Sequence, residues 1–117
     1  MDSILTSIKK LLGIDASYKH FDTDIIMHIN SVFFILYQMG VGPETCFRIE
    51  DDMSDWDEFI IDDERTDLES VKTYIYLKVK LLFDPPSSSA VLEAMNRMIN
   101  EFEWRLNFEA ECKTTEE

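Results

Sequence analysis

From Ile25 to Pro43 the chain runs for 19 residues without an Asp, Glu, Lys or Arg. This stretch restricts the fold more than any other. Asp22 suits the N-cap of a helix, and Phe21 before it can staple onto Ile26. Gly40 suits the left-handed position past the C-terminus, where Val41 can pack back on Leu36. Between these signals Ile25, Ile29, Val32, Phe33 and Leu36 form a stripe, and Ile26, Phe34, Ile35 and Tyr37 extend the apolar surface around the other sides. A helix apolar nearly all round is central or lies between neighbours. A membrane span fits poorly. His28, Asn30, Ser31 and Gln38 interrupt the stretch, and Asp22, Asp24 and Glu44 flank it with no Lys or Arg collar.

The other segments also read as helices. Ser3 to Leu12 places Ile4, Leu5, Ile8, Leu11 and Leu12 on one face. Gly13 stops it, and Lys9 and Lys10 complement the negative end of its dipole. Thr66-Asp67-Leu68-Glu69 is a capping box opening a helix to about Phe83. Leu68, Val71, Ile75, Val79 and Leu82 share one face of that helix, and Tyr74, Leu77 and Leu81 a second. Asp84-Pro85-Pro86 ends it. Ser87, Ser88 and Ser89 then cap a last helix to about Phe108, striped by Leu92, Met95, Ile99, Phe102 and Leu106. With 117 residues the chain is one domain in size. The expected fold is all-α: a small bundle of about four main helices, residues 1–108, followed by a polar tail, 109–117, that frays.

Between the second helix and the later long pair lies an acidic insertion, residues 44–66. The net charge is −13, yet residues 44–69 alone hold 12 acids against Arg48 and Arg65. Cys46-Phe47-Arg48-Ile49-Glu50 alternates with period two and allows a short strand or hairpin. Ser54-Asp55-Trp56-Asp57 offers a cap for a single helical turn to about Ile61. Such a balance excludes a general nucleic-acid binder and a protein held electrostatically on an anionic membrane. With 45% hydrophobic residues, the chain is not a charge-expanded disordered one either.

No catalytic, cofactor or metal site is expected. An EF-hand loop opening at Asp51 would place Asp55 and Asp57 on ligand positions. It fails at Met53, at Trp56 where Gly is needed, and at Asp62 where a bidentate Glu belongs. His20, Asp22, Asp24 and His28 fit capping and helix-terminus roles better than a metal cluster. Cys46 and Cys112 have no CxxC spacing, which fits a reducing compartment, and residues 1–13 carry no signal-peptide pattern. Neither a nucleophile–base pairing nor a phosphate-cradling glycine loop is present, so an enzyme is not expected. Two helices carry two apolar faces each, and self-association would cover the surplus.

Three stretches carry a resemblance. Ile4-Leu5-Thr6-Ser7-Ile8-Lys9-Lys10-Leu11-Leu12-Gly13-Ile14 forms a short opening helix, and Phe21-Asp22-Thr23-Asp24-Ile25-Ile26-Met27-His28-Ile29-Asn30 begins the second. Tyr74-Ile75-Tyr76-Leu77-Lys78-Val79-Lys80-Leu81-Leu82-Phe83-Asp84-Pro85-Pro86 leads into the Ser-rich turn and last helix. Together, over about Ser3 to Asn107, they resemble the head–tail connector (adaptor) proteins of tailed bacteriophages and prophages of Gram-positive bacteria.

The resemblance implies a structural virion protein that carries no catalytic residues. Such a connector assembles in the host cytoplasm as a homo-oligomeric ring, a dodecamer, beneath the portal protein and then receives a stopper or tail-completion protein. DNA passes through it without specific binding. A negatively charged wall would keep that DNA mobile. Asp51, Asp52, Asp55, Asp57, Asp62 and Asp63 are therefore expected to line the lumen or the tail-facing rim. Phe102, Trp104, Leu106 and Phe108 are expected to dock on the portal or a neighbouring subunit. The alternative is an acidic DNA mimic that inhibits a host nucleic-acid enzyme. A mimic wants carboxylates spread at phosphate-like spacing, whereas here they are confined to one segment.

Overall fold

The protein, seen in a computed structural model, is described over residues 3–41, 47–59 and 68–115, with side chains to residue 108. Five helices follow in order: α1 (Ile4–Leu12), α2 (Asp22–Gln38), α3 (Trp56–Phe59), α4 (Leu68–Phe83) and α5 (Ser89–Thr115). Four are substantial and α3 is a single turn, so the protein is a small all-α bundle.

Local rules account for most of these elements. The Ser3 hydroxyl caps α1 by accepting the Thr6 N–H at 3.1 Å. Gly13 ends the helix at φ 81°, and Ile14 N–H returns to the Lys9 carbonyl at 2.8 Å. A β-carbon at Gly13 would meet nothing within 4 Å, so glycine serves the dihedral there and not the space. Gly40 repeats the device past α2 at φ 84°, with Val41 N–H on the Leu36 carbonyl at 2.9 Å and Val41 buried as anticipated. Ser88 supplies the cap of α5 through the Val91 N–H, at 3.4 Å. The capping box Thr66-Asp67 lies outside the described residues.

Of the two places open to a helix apolar nearly all round, α2 takes the one between neighbours, and α4 is central: it packs against α1, α2 and α5. Val71, Tyr74, Ile75, Leu77 and Val79 are all buried on it, which uses both of its expected apolar faces apart from exposed Leu82. The expected stripes of α1, α2 and α5 face the same core through Ile4, Leu5, Ile8, Ile25, Ile29, Val32, Phe33, Leu36, Met95, Ile99 and Leu106, whereas Leu11, expected on the α1 stripe, is exposed. Only one flank of α2 reaches α4. Residues 47–59 cover another, and Met27, Phe34 and Tyr37 stay exposed.

Three local expectations change. Asp22 is the first residue of α2 and caps nothing; its carboxylate accepts a 2.7 Å hydrogen bond from the ammonium of Lys9, a side chain fully buried between α1 and α2. Helix α5 continues past Phe108 to Thr115, since Ala, Glu and Lys in that stretch are helix formers and no Gly or Pro interrupts it. No strand or hairpin forms among the described residues. Burial alternates from Phe47 to Glu50 as period two predicts, but the Asn30 carboxamide takes the place of a neighbouring strand. Its Nδ2 donates to the Ile49 carbonyl at 2.9 Å, and its Oδ1 accepts the Ile49 N–H at 2.8 Å. A solitary extended segment needs such a partner for its backbone.

Candidate functional site

Residues 47–59 are two-faced. The inner face is apolar: Ile49, Trp56 and Phe59 are buried, and the Phe33, Phe47 and Phe59 rings cluster with centroids 5.0–5.6 Å apart. Trp56 donates its indole N–H to the Ser7 hydroxyl at 3.1 Å, and the Lys72 ammonium lies 5.3 Å from the centre of its ring. At its edge, Ile4 N–H bonds the Ser54 carbonyl at 2.9 Å. This segment is an acidic strap fastened to α1 and α2, more than an insertion standing off the bundle.

The outer face carries the acids. Glu50, Asp51, Asp52, Asp57 and Glu58 are exposed, and Asp55 is half-buried. Their carboxylates have different tasks. Asp55 caps α3 by accepting the Asp57 N–H at 3.1 Å, and Glu58 reaches back to the Asp55 N–H at 2.8 Å. The capping box therefore starts one residue later than Ser54, whose carbonyl is engaged with α1. Asp51 accepts the Met53 N–H at 2.9 Å, and Asp52 pairs with Lys19 at 3.0 Å. Asp57 is left to solvent with no carboxylate bond among the described residues. Asp62 and Asp63 lie outside the described residues.

The hydrogen bond from Lys19, with its charge, holds the Asp52 carboxyl below the usual 3.8, and Asp52 in turn raises Lys19. A depressed folded-state value means that the pair is intact above the unfolded carboxyl value and is lost as pH falls through the folded one. Both side chains face water, so the effect on stability is small. It is visible site by site. In an NMR titration the Asp52 midpoint should rise on Lys19→Ala.

The four aromatic and aliphatic residues expected to form an interface on α5 divide between two faces. Phe102 and Leu106 turn inward and pack with the core. Trp104, 68% exposed, and Phe108, 51% exposed, turn outward and stack on each other at 5.5 Å with planes 10° apart. Spacing alone separates these pairs: 102 and 106 are one turn apart, as are 104 and 108, on different sides of the helix. His20 sits in a ring cluster with Tyr18 and Phe21, its centroid 4.8 Å from that of Phe21, and Asp22 belongs to Lys9.

A second surface was not anticipated. Between α2 and the strap runs an open groove of about 690 Å³, lined by Ile26, Met27, Asn30, Phe34, Arg48 and Glu50 among others. The signal was present in Ile26 and Phe34, which lie off the buried stripe of α2, but they read equally well as core.

Residues 4–113 match the model of the family described as phage connector protein. No curated protein and no solved structure matches the chain.

Proposed function

Because the chain belongs to the phage connector protein family, a family of structural virion proteins, we propose that its copies form a ring beneath the portal and join the DNA-filled capsid to the stopper or tail. The observation that carries this is the extent of the match, residues 4–113, which takes in α1 to α4 and nearly all of α5. Among the described residues no helix is long and apolar enough to cross a membrane.

The strap suits a place beside passing DNA. Its apolar side is used up in fastening it, so its exposed side offers carboxylates and few groups able to grip phosphate. Asp51, Asp52, Asp55 and Asp57 stand on the lumen or the tail-facing rim of the ring. A DNA mimic is less well supported, since Asp52 and Asp55 are committed to Lys19 and to capping α3.

Mass measurement tests the assignment. The purified chain, 13.7 kDa, mixed with the portal protein of the same phage should give one complex heavier than the portal by many subunits. A mixture in which the portal mass is unchanged overturns the assignment. A ring structure with the acidic residues on its outer circumference overturns their placement alone.

A further inference from the structure

We propose that the outward ridge of α5, formed by Arg97, Glu101, Trp104 and Phe108, seats in the α2–strap groove of a second copy of this chain. The contact rests on the connector assignment, and it names the two faces that meet in the ring.

Two exposed apolar surfaces look in different directions on this molecule. Helix α4 packs against both α2 and α5. The unpartnered side of α2, with Met27, Phe34 and Tyr37, and the unpartnered side of α5, with Met98, Trp104 and Phe108, are thus separate patches. A single self-complementary patch closes a dimer and stops there. Two different patches that fit each other join head to tail, and they close a ring when the rotation allows.

The shapes differ in the required sense. The α5 patch is a ridge, because residues 97, 101, 104 and 108 follow one another at helical spacing and the two rings stack into one block. The α2 patch is a groove, with Ile26, Met27 and Phe34 on one wall and Arg48 and Glu50 on the other. Exposed aromatics that fill such a groove are the usual centre of a contact between proteins.

Charge identifies the occupant as this chain. Arg97 has no ion-pair partner among the described residues, and neither Arg48 nor Glu50 has one. Glu50 gives the groove an acidic side that meets Arg97, while Arg48 meets Glu101, whose carboxylate already holds Arg105 at 2.5 Å. Both partners of each cross-subunit pair are thus supplied by one sequence. Pairs of this kind set register and exclude wrong partners more than they add affinity.

The test is a covalent map. The photoreactive residue p-benzoylphenylalanine replaces Trp104 in the full chain, which is irradiated at millimolar concentration and digested. The expected product has twice the subunit mass, with crosslinks on residues 26–34 or 48–50 of the second copy. Crosslinks to α5 of the second copy, crosslinks elsewhere, or no intermolecular product would each overturn the contact. In sedimentation, Arg97→Glu should weaken self-association about tenfold, and Glu50→Arg in the same chain should restore it. A double variant that stays as weak as Arg97→Glu also counts against the pairing. The two layers separate cleanly. A ring-sized portal complex with crosslinks elsewhere sinks the contact and keeps the connector. A portal whose mass never changes sinks the connector itself.

Discussion

Replacing Lys9 by Met should lower the unfolding free energy by about 3–5 kcal/mol, read as a lower urea midpoint at unchanged slope. Lys9 is 1% exposed, and its ammonium has three protons to place. It donates to the Ala16 carbonyl at 3.2 Å, the Tyr18 carbonyl at 2.6 Å and Asp22 Oδ1 at 2.7 Å. One side chain therefore ties the end of α1, the connecting turn and the start of α2. Methionine fills much of the same volume but leaves two carbonyls and a carboxylate, itself only 18% exposed, without their donor. An uncompensated buried charge is the main cost. Asp22→Asn should be milder, about 1–2 kcal/mol, because the amide oxygen still accepts from Lys9. Equal and small losses from both variants would show that the pair is only a surface bridge.

The Lys9 pair also marks the limit of what the sequence discloses. Lysine in the last turn of a short helix is explained by the helix dipole, and nothing local says that it is buried. Its main partner, Asp22, is 13 residues away and looks like a cap by the same local rules. The features that are legible obey short-range rules: Ser88 as a cap, the left-handed Gly13 and Gly40, and most of the inward stripes of α1 and α5. The features that were not are long-range. Asn30 reaches Ile49 across 19 positions, and Trp56 reaches Ser7 across 49. Charge counting added a distortion of its own. Twelve acids in one segment concealed that Ile49, Trp56 and Phe59 fasten that segment to the core. On α5, Phe102, Trp104, Leu106 and Phe108 share apolar chemistry but not a helical face, so chemistry alone groups residues that helical angle separates.

Trp56→Ala should cost about 3–5 kcal/mol, the range for emptying a large buried aromatic site. The indole is fully buried, bonds Ser7 on α1 and lies beneath the Lys72 ammonium of α4, so three elements lose a shared contact at once. Its loss should be felt beyond global stability. Amides of residues 47–59 should exchange with solvent much faster in Trp56→Ala, because the ring is a main fastening of the strap that carries the acids. Trp56→Phe separates packing from the polar tie: it keeps most of the ring, drops the bond to Ser7, and should cost about 1–2 kcal/mol. Asp57→Asn, on the outer face of the same turn, should stay within about 0.5 kcal/mol of the parent. If Trp56→Ala were as mild as Asp57→Asn, residues 47–59 would be a solvated loop whose acids move freely. A large loss with fast exchange confined to the strap means instead that the bundle holds its carboxylates at fixed positions, as a charged wall beside DNA requires.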